Sequence, residues 1–157
     1  MRQFFGKYRG IVVGNQDPFH LGRLQIQVPA VYGHAQTNWA MPCTPYAGKN
    51  IGLFMIPPVS TNIWVEFEAG DPDYPIWVGC FWGEGELPQP AMVENPDTVQ
   101  VFQTKGASLT ISREQEKEVI TLKVDNPIAP NPLKVIFSSD GIEISHNVRR
   151  RRPKQNP

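Results

Sequence analysis

Three pairs of acidic residues stand two apart, where two carboxylates could divide the work of a general acid and a general base: Glu66/Glu68, Asp71/Asp73 and Glu84/Glu86. That pairing would suit hydrolysis of a cell-wall polymer. On a strand or turn, however, this spacing is ordinary surface chemistry, and no cleft or nucleophile accompanies it. No catalytic residue is assigned, and the chain is read as not an enzyme. Cys43 and Cys80 have 36 residues between them and no CxxC or Cys/His zinc spacing. They read as small buried thiols rather than as a disulfide. His20 and His34 fall in loops without acidic or thiol partners at ligand spacing. No cofactor is expected.

The elements that would position any site are short strands. Sixteen prolines and thirteen glycines among 157 residues leave little room for a long helix. Strands are expected over 7–14, 21–28, 39–41, 51–56, 63–67 and 75–82, with a polar loop over 30–38. Leu24, Ile26 and Val28 alternate with Arg23, Gln25 and Gln27, the period of a strand with one buried face. Asp17-Pro18, Pro29, Pro57-Pro58 and Gly70-Asp71-Pro72 break the runs. Five or six strands in about eighty residues without crossover helices predict a Greek-key barrel of the OB type.

Composition limits the function further. The net charge of zero hides a basic tail, Arg149 to Arg152 with Lys154; without it, ten basic residues face fifteen acidic ones. An acidic body argues against general nucleic-acid binding, which needs a basic surface. No segment has the roughly 18 apolar residues of a membrane span. The start MRQFFGKYRG has no apolar core of a signal peptide, so any export is expected to use another route.

After Trp82 the character changes. Residues 1–84 are read as the barrel, 85–98 as a linker, 99–147 as a second all-β part and 148–157 as a basic flexible tail. Strands are expected at 99–104, 107–112, 118–124, 133–138 and 141–145. Leu109, Ile111, Ile120, Leu122, Val124, Val135, Phe137, Ile142 and Ile144 are spaced for one face. With no helix to cover that face, it must fold back on the barrel or meet copies of itself. The linker favours copies, hence a homo-oligomer of cyclic symmetry.

The barrel residues carry a resemblance. Gly6-Lys7-Tyr8-Arg9-Gly10, Asp17-Pro18 with Leu21-Gly22-Arg23-Leu24, Val28-Pro29, Trp39-Ala40, Pro45-Tyr46-Ala47-Gly48, Val65-Glu66-Phe67, and Gly70-Asp71-Pro72 leading to Pro75 and Gly79 follow in series. In this the chain resembles the spike family of contractile injection machines: phage baseplate proteins similar to the barrel part of the T4 cell-puncturing protein, P2-like spike proteins and the C-terminal part of VgrG proteins. The resemblance implies an all-β chain with an OB barrel followed by a short intertwined trimeric β-helix or β-prism, the nine apolar residues above forming the trimer core. It implies a homotrimer that joins a baseplate hub protein, carries a PAAR-type tip protein and possible effector cargo, and touches the target membrane transiently. Such a protein belongs to a phage or phage-like particle and is assembled in the bacterial cytoplasm. No hub domain precedes Phe4, so a separate hub protein is expected. No lysozyme-like insertion is present. Some members bind iron through a His-x-His pair near the tip; here only His146 stands in the matching region, as Ile144-Ser145-His146-Asn147. Three copies of His146 could meet on an axis, although a solvated histidine is the plainer reading.

The competing reading is a binding module. OB barrels take single-stranded nucleic acid or oligosaccharide on stacked aromatics, and Tyr8, Tyr32, Trp39, Trp64, Trp77 and Trp82 could supply them. Trp64 and Trp77 lie near Glu66, Glu68 and Asp73, where a nucleic acid would need cations.

Overall fold

In the computed structural model, residues 2–34, 38–114, 117–124 and 133–146 are described. The chain divides into two compact units, residues 1–85 and 86–157.

The first unit is a closed barrel. Its strands are β1 (Tyr8–Gly14), β2 (Leu24–Gln27), β3 (Trp39–Pro42), β6 (Asn62–Phe67) and β7 (Pro75–Cys80), in the order β1-β2-β3-β7-β6 with β6 returning to β1. Between β3 and β6 stands a two-stranded hairpin, β4 (Ala47–Gly48) with β5 (Ile51–Gly52). The β3–β7 pairing is parallel, Met41 beside Ile76, while the other barrel pairs are antiparallel. The alternation legible in the sequence points inward as expected: Val12, Leu24, Ile26, Ile63 and Val65 are fully buried, and Val28, Ala40, Phe67 and Trp77 complete the core. Two bulges bend the wall, with Val13 the extra residue of β1 and Val78 that of β7. Such insertions raise local twist and help a short sheet close on itself.

Gly10 shows how tightly the wall is drawn. A Cβ there would lie 3.0 Å from the Gln27 carbonyl oxygen and 3.1 Å from Val65. Gly70 combines two demands: its φ is +79°, and a Cβ would meet the Phe5 ring at 3.0 Å. The N-terminal segment is thereby tied to the β6–β7 turn, where the Phe4 amide donates to the Gly70 carbonyl at 2.8 Å. Phe4, Tyr8, Tyr32 and Phe67 gather there in edge-on and tilted contacts 5.5–6.1 Å apart.

Three local expectations are corrected. Residues 30–38 were expected as loop, yet Pro29–Tyr32 form a single helical turn, α1. Proline suits its first position, and the Tyr32 and Gly33 amides donate to Val28 and Pro29. Residues 51–56 do not make a barrel strand: Ile51–Gly52 pair with β4, and 53–56 pair with nothing as strand. Their apolar run resembles a buried strand only because periodicity cannot tell buried from exposed apolar residues. Cys43 and Cys80 are free but exposed, one just past the end of β3 and the other the last residue of β7.

The second unit is an open antiparallel meander: β8 (Val99–Gln103), β9 (Ala107–Glu114), β10 (Lys117–Val124), β11 (Leu133–Ser138) and β12 (Gly141–His146), in the order β12-β11-β10-β9-β8. Two 3-10 turns, Gln89–Ala91 and Pro96–Thr98, occupy the stretch expected as linker. The expected tail, Arg149–Arg152 included, lies outside the described residues.

The barrel core sets the stability of the first unit. Ile63→Ala is expected to cost about 2–5 kcal/mol, whereas Ile11→Ala, on the outer side of β1, costs less than about 1 kcal/mol. Urea unfolding followed by tryptophan fluorescence measures both; equal losses would show that the core is not where the packing places it.

Candidate functional surface

The motif residues around Asp17 form a charge lock. The Asp17 carboxylate accepts hydrogen bonds from the backbone amides of Phe19 (3.0 Å), Leu21 (2.8 Å) and Arg23 (3.2 Å), and from the Arg23 guanidinium at 2.7 and 3.1 Å. Its side chain is only 5% exposed, so water does not compete for these donors. The guanidinium lies over both the Phe19 and the Trp39 ring, 4.8 and 5.2 Å from their centroids. Arg23 thus clamps the β1–β2 turn onto the start of β3. The Arg23 hydrogen bonds hold the Asp17 carboxyl far below the usual range; burial opposes this, and the three amides reinforce it. Asp17 in turn raises the Arg23 pKa. The whole arrangement positions a turn.

Members of two acidic pairs serve the fold. Glu66 forms an ion pair with Lys7. The Asp71 carboxylate accepts the Asp73 amide at 3.0 Å, and the Glu68 carbonyl accepts the Asp71 amide at 2.9 Å, closing the turn that Gly70-Asp71-Pro72 writes. His20 lies in the Asp17 loop with φ +54°, and the carbonyl of His34 accepts from Gln27. His146 ends β12 in register with Leu133. Among the described residues, no three His, Cys, Asp or Glu side chains come together as a metal site.

The aromatic side chains do not assemble into a platform. Trp77 is buried and its indole N–H donates to the Gly22 carbonyl at 3.2 Å. Trp39 stacks on Arg23, and Trp64 lies 4.8 Å from Phe81 under the guanidinium of Arg9. Tyr8 and Tyr32 pack on Phe67. Burial pushes the Tyr32 phenol up to about 12, and its hydroxyl donates to the Pro72 carbonyl. Of the six, Trp82 alone is mostly exposed, at 65%.

The second unit presents the broader surface. Its register lines Phe102, Leu109, Leu122, Val135 and Ile144 in one row across all five strands. A second row runs Ile111, Ile120, Phe137 and Ile142, and Val124 faces Leu133 beside them. All nine residues singled out in the sequence therefore share one face. The opposite face is mixed: Ser108, Thr110, Thr121, Lys123, Lys134, Glu143 and Ser145 stand there with Val99, Val101, Val119 and Ile136. None of the buried core belongs to this sheet. Ile142 and Ile144 are each 69% exposed, Phe102 51% and Leu122 45%. Sequence periodicity found the face but missed Phe102 and Leu133, whose membership follows only from register.

A five-stranded barrel closed by one parallel pair defines an OB domain. Residues 8–82 match the family model described as the type VI secretion system/phage-baseplate injector OB domain; the barrel belongs to that family. The matched span holds Gly10, Asp17, Pro18, Gly22, Arg23, Pro29, Trp39, Ala40, Gly48, Gly70, Asp71, Pro72 and Gly79, the residues on which the resemblance was read. No curated protein matches the chain.

The lock predicts a pH dependence. A carboxyl depressed in the folded state stabilises fully above its unfolded pKa of about 3.9 and loses that contribution as pH falls toward the folded value. The melting temperature of the wild type should exceed that of Asp17→Asn by a constant margin from about pH 5 to 7, and the margin should shrink below about pH 4. A margin independent of pH down to about pH 2 would refute the ionised pair.

Proposed function

We propose that the chain is the central spike protein of an injection-machine baseplate, structural and not enzymatic. The carrying observation is an apolar sheet face that adds nothing to the buried core, in a chain whose other unit is an injector OB domain. Three such sheets turned inward would bury their apolar rows against one another, in the intertwined β-helix or β-prism that the family resemblance implies. The seven most exposed large side chains of that face, Phe102, Ile120, Leu122, Leu133, Phe137, Ile142 and Ile144, leave on the order of 600 Å² open per chain, a gross stabilisation of about 15 kcal/mol on burial. Association and ordering costs take a large share of that. The surplus is what would hold the spike together under load.

In this reading the barrel is a collar that joins a separate hub protein, and the far end of the sheet carries a tip protein and any cargo. Contraction of the machine drives the assembled spike through the target envelope, with transient contact with the membrane. The protein would act in a phage or phage-like particle after assembly in the bacterial cytoplasm. The dispersal of the aromatic residues weighs against the oligonucleotide or oligosaccharide alternative.

Light scattering on a sizing column should give three times the 17.7 kDa chain mass. Leu122→Asp and Phe137→Asp, each placing a charge in the apolar rows, should each reduce it to one chain mass. A monomeric wild type, or soluble trimers from both variants, would overturn the proposal.

A further inference from the structure

The connection from β3 to β6 is longer than a barrel turn needs, and it is ordered. Its hairpin is pinned by the Leu53 amide donating to the Tyr46 carbonyl at 2.9 Å and by the Thr44 hydroxyl donating to the Leu53 carbonyl at 3.2 Å. Its return is fixed where the Asn15 side-chain amide donates to the Pro57 carbonyl at 3.1 Å. Between this arm and the barrel wall lies an open groove of about 880 Å³. Tyr46, Ile51, Leu53, Phe54 and Met55 on the arm, and Leu21 on the wall, are 46–78% exposed, Phe54 the most.

Two quantities identify what covers this surface. The first is area. With an aromatic side chain burying about 150–250 Å² and an aliphatic one less, these six leave on the order of 650 Å² uncovered. That exceeds the usual largest patch of a monomer, about 300–600 Å², and approaches the roughly 800 Å² that each partner brings to a standard interface. The second is charge. About one residue in five of the chain is charged, yet residues 43–61 contain a single charge, Lys49, at the hairpin turn. Where a segment meets the same segment of its copies around a symmetry axis, any charge on it faces like charges, so a nearly uncharged segment suits that contact.

We infer that the arm docks on the arms of neighbouring copies of this chain, making a second self-association surface on the barrel. This rests on the trimeric reading, in which the apolar sheets hold three barrels together. Held so, the arms meet at the high effective concentration that makes a contact of this size sufficient. Phe54 and Ile51 are the central contacts, and the Lys49 turn stays at the rim in water.

The test is made on the full chain with Cys43→Ser and Cys80→Ser, so that an added Ile51→Cys is the only thiol. A short bismaleimide should join two chains through Ile51→Cys, and should not do so through Gln3→Cys, placed away from the arm. Phe54 is 78% exposed, so Phe54→Asp leaves folding intact. It should raise the concentration at which the trimer dissociates by at least about tenfold. A trimer by light scattering that gives no cross-link at position 51 and dissociates as the wild type would overturn the arm contact and leave the spike reading standing. A monomeric parent chain would overturn both.

Discussion

Water disfavours an exposed apolar sheet face, and the two units of this chain differ in how far they cover theirs. The barrel covers its own face by curling until β6 returns to β1 and β3 meets β7, so that Val12, Ile26, Ile63 and Val65 lose all contact with solvent. The meander does not curl. Its register stacks one apolar row on another across five strands and leaves both open. A barrel covers its apolar face within one chain; this open sheet does not.

The polar features of the barrel serve that closure. Strands of four to seven residues have little register information of their own, so their turns must be fixed from outside. Asp17 fixes the β1–β2 turn with five donors, and Arg23 carries the constraint across to Trp39 on β3. Gly70, Asp71 and Asp73 do the same for β6–β7 with a positive φ and a side-chain cap. Residue types with a reputation for chemistry are here the parts that set angles. Asp17, Asp71 and Asp73 are used in turns, and Trp39 and Trp77 in packing.

Much of this was legible beforehand because alternation is a direct imprint of a half-buried strand. Leu24-Gln25-Ile26-Gln27 and Ile63-Trp64-Val65-Glu66-Phe67 announced both the strands and their inward residues, and the nine apolar residues of the second unit were placed on one face by the same period. The illegible parts depend on contacts distant in sequence. The run Ile51 to Ile56 has the composition of a core strand, but no free edge of the closed barrel accepts it, so it stands out as an arm. The turn Pro29–Tyr32 reads as loop because one helical turn has no periodicity to detect; the packing of Tyr32 on Phe67 holds it. The thiols were misplaced because cysteine is buried on average, whereas Cys43 and Cys80 sit where their strands run out.

The two units also differ in how far along the chain their partners lie. The barrel pairs residue 8 with residue 65 and residue 41 with residue 76, so its closure waits on long loops being brought together. The meander pairs near neighbours, Phe137 with Ile142 and Lys117 with Glu114. High contact order slows folding and low contact order speeds it. On this ground the hairpins of the second unit are expected to form ahead of the barrel, with their apolar rows bare. An exposed row of this kind is prone to premature, out-of-register encounter. Closure of the barrel does not cover those rows, so a single chain keeps this exposure even after both of its units have folded.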